Sequence, residues 1–256
     1  MAELGVRGRT AVVIGGTSGI GRAVSHGLAA AGANVIATSR RAEMVYEVAT
    51  EVEELGVSTL RIASDVRDRE SLKALLAATI EAFGKVDILV NCAGQTRRQP
   101  TLTVSEDTWN EIMDINLTGT LRTAQIFGAH MLANGYGRIV NMASLGSFVA
   151  FHEVAAYCAS KAAVASLTRS LAVEWGPRGV TVNAVAPGLF PTELNSKLLD
   201  GTPRGRELLL RTPAGRFGNV DEIIGPTLFL CSEAASFVNG EVLTVDGGFM
   251  ASGVNQ

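Results

Sequence analysis

Tyr157 and Lys161 stand four residues apart in the run Ala155-Ala156-Tyr157-Cys158-Ala159-Ser160-Lys161, and Ser144 precedes the tyrosine by thirteen residues. On a helix, positions i and i+4 share a face about one turn apart. An ammonium beneath a phenol favours the phenolate, because a neighbouring positive charge stabilises the ionised form. A phenol with an ordinary pKa of about 10 is thereby drawn toward working pH and can exchange protons. Ser144 supplies a hydroxyl that can hold a carbonyl oxygen beside it. Together the three are equipment for moving a proton on and off an oxygen. A tyrosine and a lysine at helical spacing also meet by chance in many chains, so the surrounding sequence has to decide.

A second group lies near the amino end, in Gly15-Gly16-Thr17-Ser18-Gly19-Ile20-Gly21. It follows an apolar run and opens a helical one. Glycines permit a tight turn and close approach to a pyrophosphate, while the helix start offers unpaired N–H groups and the positive end of its dipole. Gly15, Thr17, Ser18, Gly19, Ile20 and Gly21 are therefore expected to bind a dinucleotide. The next apolar run ends in Thr38-Ser39-Arg40-Arg41, with no acidic residue. A carboxylate there would hold the ribose hydroxyls of NAD, whereas an arginine grips the 2′-phosphate of NADP through paired hydrogen bonds. Ser39, Arg40 and Arg41 thus favour NADP(H) over NAD(H), the alternative being two arginines that open a solvated helix. Asp65 suits either the adenine amino group or an N-cap. In Asn91-Cys92-Ala93-Gly94, small residues such as Ala93 let the backbone pass close to the cofactor.

The elements that must position these groups alternate along the chain. Apolar, β-branched runs at 11–14, 34–38, 58–63, 86–90, 138–142, 181–186 and 241–245 read as seven strands. Helical stretches fall at 20–31, 42–55, 69–83, 105–116, 119–133 and 155–175, several of them ending at a glycine. Strands that are apolar throughout, separated by helices, predict an α/β fold: a doubly wound, mostly parallel seven-stranded sheet with helices on both faces. A single domain over 1–256 is expected, with residues 188–213, rich in glycine and proline after the sixth strand, as a substrate lid.

Composition excludes several classes. The chain has 256 residues, 47% hydrophobic and 18% charged, with net charge −3 and a pI near 5.7. No basic stripe suggests nucleic acid as a partner. The three cysteines are widely spaced without a CxxC pair, which argues against a metal site or disulfide framework and fits reduced thiols in a cytoplasm. The first ten residues lack the apolar core of a signal peptide, and no run nears the roughly 18 apolar residues of a membrane span.

In their order, the glycine pattern, Asn91-Cys92-Ala93-Gly94, Asn116, Ser144, Tyr157-xxx-Lys161 and Pro187-Gly188 resemble the short-chain dehydrogenase/reductase family over nearly the whole chain. The resemblance implies a Rossmann-type subunit, usually a homotetramer, that transfers hydride between NAD(P) and a small-molecule carbonyl or alcohol. It further implies that Tyr157 is the general acid/base and that Lys161 lowers its pKa and binds the nicotinamide ribose. Ser144 would orient the substrate oxygen, and Asn116 would hold a water that continues the proton relay. Thr192 would bond the nicotinamide amide, Asn91 and Gly94 would approach the cofactor, Val66 would flank the adenine, and Pro187 and Gly188 belong to the same matched pattern. Ile14 and Cys92 depart from the family's usual threonine and asparagine.

Arg97 and Arg98 follow the Asn91-to-Gly94 turn on the side where substrates of the family sit. They read either as a solvated loop or as a fork for an anionic or polyhydroxy substrate. Leu145, His152, Glu153 and Leu189 are further pocket candidates. Residues 208–213, 237–240 and the run after the turn are similar to sugar-acid dehydrogenases of the gluconate type. A 3-oxoacyl-carrier-protein reductase is the alternative within the family, although residues 133–136 and 171–174 lack the basic charges that would dock an acidic carrier. An alternative of another class is a non-catalytic dinucleotide-binding sensor or scaffold, which would not need Ser144, Tyr157, Lys161 and Asn116.

Overall fold

A computed structural model describes residues 5–192, 199 and 201–253. Its centre is a sheet of six parallel strands, β1 (Thr10–Ile14), β2 (Asn34–Thr38), β3 (Ile88–Asn91), β4 (Gly137–Met142), β5 (Val180–Pro187) and β6 (Val242–Val245), in the order β2-β1-β3-β4-β5-β6. Strands β1, β3, β4 and β5 are buried along their whole length, as apolar runs covered on both faces must be. One core layer gathers Val13, Leu28, Val35, Val90 and Val140, and the other gathers Val12, Leu72, Leu89, Phe127 and Val182. Neighbouring residues of one strand thus point to opposite layers.

The helices stand close to their expected bounds: α1 (Gly19–Ala30), α2 (Ala42–Glu54), α3 (Arg69–Phe83), α4 (Glu106–Met113), α5 (Gly119–Asn134) and α6 (Ala155–Trp175). They are followed by α7 (Pro203–Leu210) and α8 (Ile224–Cys231). Asp68 caps α3 by accepting the Glu70 N–H at 2.9 Å, and Gly84 ends it in the left-handed region at φ 74°. The long α6 lies close against α5, where a Cβ on Gly128 would come within 2.6 Å of the Trp175 ring.

Two expectations are corrected. Residues 58–63 do not form a seventh strand, so the sheet has six strands among the described residues. The segment runs beside β2 and touches it through isolated bonds: Val35 N–H to the Ser58 carbonyl at 3.1 Å, Ser58 N–H to Asn34 Oδ1 at 3.1 Å, Ser64 N–H to the Ser39 carbonyl at 3.0 Å, and the Thr38 hydroxyl to the Ile62 carbonyl at 2.7 Å. Its apolar residues Leu60 and Ile62 pack on the core, which explains the strand-like pattern without a ladder. The helix expected over 105–116 also stops at Met113 and passes into a π turn, Asp114–Thr118, that leads directly into α5. The lid reading of 188–213 falls partly on residues 193–198 and 200, outside the described residues.

The order reverses direction between β1 and β3. In open parallel sheets a crevice forms there, beyond the carboxyl ends of the strands. Those ends are level: Ile14 pairs with both Thr38 and Asn91, and Asn91 with Asn141.

Candidate active site

The turn after β1 is built to admit something close to its backbone. Gly15 has φ 76° and donates its N–H to the Thr38 carbonyl at 2.8 Å; a Cβ there would come within 2.6 Å of the Ala93 nitrogen. A Cβ on Gly21 would fall on the Gly15 carbonyl oxygen. Ser18 precedes α1 in extended conformation and makes no side-chain cap, so the first N–H groups of that helix face the cleft without a partner from the capping side chain. That cradle suits a phosphate. Behind it, the Thr17 hydroxyl donates to Ser39 Oγ at 2.8 Å, and Ser39 Oγ accepts the Arg41 N–H at 3.3 Å. Arg40 and Arg41 are exposed, and among the described residues neither is in an ion pair. Arg40 lies near enough to Asp65 to help hold that carboxylate below its usual range, although Arg67, at 2.8 Å, is its main partner against a burial effect of opposite sign. Asp65 is not the N-cap of α3, since Asp68 fills that position.

Opposite the cradle, the first two turns of α6 present Tyr157 and Lys161. Lys161 is 5% exposed; its Nζ donates to the Met142 carbonyl at 2.6 Å and lies 5.9 Å from the Tyr157 ring centroid. Burial pushes this ammonium down to about 8, a little offset by Cys92. Burial also raises the Tyr157 phenol above its ordinary value, against a hydrogen bond from Ser144 that lowers it, while Cys158 adds slightly to the rise. The expectation that the lysine draws the phenol toward working pH is therefore reversed. The ammonium is committed to the Met142 carbonyl, and loss of water is the largest effect on the phenol. Tyr157 is protonated at neutral pH and suited to give a proton to an oxygen. Ser144, 8% exposed, accepts the Gly146 N–H at 3.0 Å and keeps its own hydrogen for another acceptor.

Asn116 sits at the centre of the π turn with no exposed surface. Its Oδ1 accepts the Gln95 N–H at 2.8 Å, and its Nδ2 donates to the Gln95 carbonyl at 2.9 Å and to Ser160 Oγ at 3.0 Å. The side chain is thus spent on joining three segments. Single π turns inside α-helices are frequent at functional sites, and here the wide turn delivers this amide inward. Asn91 is turned into the core: it donates to Asn141 Oδ1 at 2.9 Å and accepts from the Thr123 hydroxyl at 2.8 Å. This buried ladder fixes β3 to β4 and α5 just below the cleft floor.

Between cradle and helix lies a cleft of about 490 Å³ that is open to solvent. Of the expected cofactor and catalytic residues, it brings together Gly15, Ser18, Gly19, Ile20, Gly21, Arg41, Ala93, Gly94, Ser144, Tyr157, Lys161, Pro187, Gly188 and Thr192. Thr192 reaches back toward the cradle, its Cγ2 3.4 Å from where a Gly19 Cβ would stand. Thr17, Ser39, Arg40, Asp65, Val66, Asn91 and Asn116 stand outside the walls. Val66 is 8% exposed and packs on Gly119. The walls also include Cys92, Gln95, Met142, Ala143 and Phe190, which were not expected as binding residues. Their signal was positional, since each follows or ends a parallel strand. Burial pushes the Cys92 thiol up to about 12, away from the thiolate form.

The five substrate candidates do not line this cleft. Arg97 pairs with Glu111 on α4 at 3.5 Å, Leu145 is buried at 1%, and His152 is 79% exposed in its side chain. Leu189 faces a smaller cavity, of about 90 Å³, with Thr212 and Asp246. Arg98 donates from Nε to Glu153 at 2.7 Å, and Glu153 holds the left-handed φ of 65° while its carbonyl takes the Gln99 N–H at 2.7 Å. Such a backbone costs on the order of 1 kcal/mol or more in a non-glycine residue. No cluster of side chains that could hold a metal exists among the described residues, and none of their helices is long and apolar enough to cross a membrane.

A phosphate cradle at the reversal point of a parallel sheet, facing Ser144, Tyr157 and Lys161, defines a dinucleotide-dependent oxidoreductase. A family model described as enoyl-(acyl carrier protein) reductase matches residues 15–250, and the chain belongs to the short-chain dehydrogenase/reductase family of NAD(P)-dependent oxidoreductases. It is 39% identical over 245 residues to gluconate 5-dehydrogenase of Gluconobacter oxydans (strain 621H), covering 96% of each chain. It is 42% identical over 242 residues to D-threitol dehydrogenase of Mycolicibacterium smegmatis (strain ATCC 700084 / mc(2)155), covering 94% of this chain and 93% of the other. A crystal structure of gluconate 5-dehydrogenase from Burkholderia cenocepacia J2315, in complex with NADP and tartrate, superposes with a TM-score of 0.94 at 38% identity, covering 97% of this chain and 98% of that one. These similarities do not favour the carrier-protein reductase alternative.

Proposed function

We propose that the protein interconverts a secondary alcohol and a ketone on a sugar acid or related polyol, with NADP(H) as the preferred cofactor and Tyr157 as general acid/base. The observation that carries this reading is the amino-terminal end of α6. It puts a protonated phenol, hydrogen-bonded by Ser144 and backed by Lys161, in the same cleft as the glycine cradle. The bound nicotinamide would supply and accept hydride. The chain's own residues do the rest. Gly15, Gly19, Gly21 and the N–H groups of α1 hold the phosphates. Ser144 orients the reacting oxygen, and Tyr157 gives it a proton in reduction or takes one in oxidation. Lys161 keeps positive charge beside the phenol. Ser39, Arg40 and Arg41, with no carboxylate among them, support the 2′-phosphate contact, as does NADP in the Burkholderia relative. The names of the gluconate and threitol relatives support the substrate class.

The segment 188–213, part of which lies outside the described residues, is assigned the role of substrate lid, and the subunit is assigned to a cytoplasmic homotetramer. The fully exposed Phe237 and the 78% exposed Val173 support self-association, since Asn239 beside Phe237 donates to the Ala172 carbonyl at 2.9 Å and brings the two apolar groups to one end of α6. The test is the nicotinamide absorbance of purified protein with gluconate, D-threitol, galactitol and glycerol, each with NADP and with NAD. Turnover is expected with an acid or polyol and NADP, and Tyr157→Phe should lower kcat about 10³-fold with cofactor affinity nearly kept. Tight NADPH binding without turnover of any substrate would favour the sensor, and a Tyr157→Phe enzyme keeping a tenth of its activity would remove the assigned acid.

A further inference from the structure

Ser160 has no exposed surface and lies one residue before Lys161 on α6. Its Oγ donates to the Tyr157 carbonyl at 2.7 Å and sits 3.0 Å from Asn116 Nδ2. An amide nitrogen only donates, so the hydroxyl accepts from Asn116 and commits its one hydrogen to Tyr157. The other hydrogen of that amide goes to the Gln95 carbonyl at 2.9 Å, and Asn116 Oδ1 takes the Gln95 N–H at 2.8 Å. A continuous path of hydrogen bonds therefore runs from the loop beyond β3, through the π turn, to the peptide group that follows Tyr157. In an α-helix that same carbonyl is the acceptor for the N–H of residue i+4, which here is Lys161. The Ser160 hydroxyl thus sits on the peptide that sets the rise from the phenol to the ammonium.

We propose that Ser160 is a positioning residue that transmits the placement of Asn116 to the Tyr157–Lys161 turn. It acts through the backbone and touches neither substrate nor cofactor. The proposal rests on Tyr157 being the proton donor assigned above. A hydroxyl bonded to the preceding turn is common in helices and is by itself only a brace. Ser147 provides the comparison, because its Oγ donates to the Lys161 carbonyl at 2.7 Å on the same helix. That hydroxyl-to-carbonyl bond reaches the helix from a segment outside it and has no link to Asn116.

The experiment compares Ser160→Ala, Ser160→Thr, Ser160→Cys and Ser147→Ala in the full chain, with NADP and gluconate or D-threitol. Ser160→Ala is expected to lower kcat about 10- to 100-fold, the scale of a small misplacement of reacting groups, with both KM values within about twofold. Ser160→Thr keeps the hydroxyl and should restore most of the rate, while Ser147→Ala should stay within about twofold of the parent. Titration of the tyrosinate absorbance, with the Tyr157→Phe protein subtracted, gives a reading that needs no turnover. Its midpoint should move by about half a unit or more in Ser160→Ala and stay in place in Ser147→Ala. If Ser160→Ala does not fold, Ser160→Cys, with a similar shape and a weaker hydrogen bond, takes its place in both measurements. The inference is overturned if kcat and the titration midpoint are unchanged, if Ser147→Ala loses as much, or if the only effect is a lower melting temperature. An active Tyr157→Phe enzyme would instead overturn the acid–base assignment, so the two failures are distinguishable.

Discussion

Lys161 makes the proposed chemistry depend on pH in a way that can be worked from its surroundings. Its ammonium is 5% exposed, bonded to one carbonyl and depressed to about 8. An amine with that pKa is about nine-tenths charged at pH 7, half charged at pH 8 and about one-tenth charged at pH 9. If the charge beside the phenol supports proton transfer, kcat/KM for ketone reduction should be flat below pH 7. It should then fall by about tenfold per pH unit above 8. That ratio is the right observable because it reports the free enzyme. Alcohol oxidation needs the deprotonated phenol, and burial holds Tyr157 above its ordinary value. The oxidation rate should therefore still be rising where reduction has begun to fall. Lys161→Arg keeps a charge that does not titrate in this range, so its slower reduction should lose the break near pH 8. Initial rates at constant ionic strength from pH 6 to 9.5, in both directions, provide the assay. A flat reduction profile to pH 9, or a break that persists in Lys161→Arg, would refute the reasoning.

The same depression has a consequence for stability. A lysine whose folded pKa lies below its unfolded value binds fewer protons when folded between those two values, so stability rises with pH across about 8 to 10.5 and the full penalty applies below 8. Lys161→Met should abolish turnover yet raise stability at pH 7 by about 1 to 2 kcal/mol after the lost bond to Met142 is counted, with the gain vanishing at about pH 9 and turning into a loss by about pH 10.5 in urea titrations. Gly21→Ala places a methyl on the Gly15 carbonyl and should weaken NADPH binding about 100-fold by calorimetry, with the far-UV spectrum kept. Arg40→Asp should move the NADP-to-NAD preference toward NAD at least about tenfold in kcat/KM, and an unchanged ratio would remove the 2′-phosphate contact.

Much of the frame could be read directly. Six of the seven apolar runs became the six strands of the sheet, and α6 begins and ends where its alanine-rich pattern does. The run 241–245 became β6, although its side chains are only partly buried. What failed did so for long-range reasons. Residues 58–63 alternate like a strand because one side packs on the core, and nothing local reveals that the ladder to β2 is incomplete. The π turn at Asn116 comes from a buried amide that has to meet Gln95 and Ser160, residues 21 and 44 positions away. Arg97 and Arg98 look like free guanidinium forks until Glu111 and Glu153 are found beside them.

The order of glycines, Ser144, Tyr157 and Lys161 determined the family and the kind of reaction, because turns that need glycine and side chains one helical turn apart are local facts of the chain. Tertiary structure alone decided how those groups are charged and where they are held. The phenol rises and the ammonium falls because both lose water in a cleft made by segments remote in sequence, and desolvation is set by everything that packs around a group rather than by its neighbours along the chain.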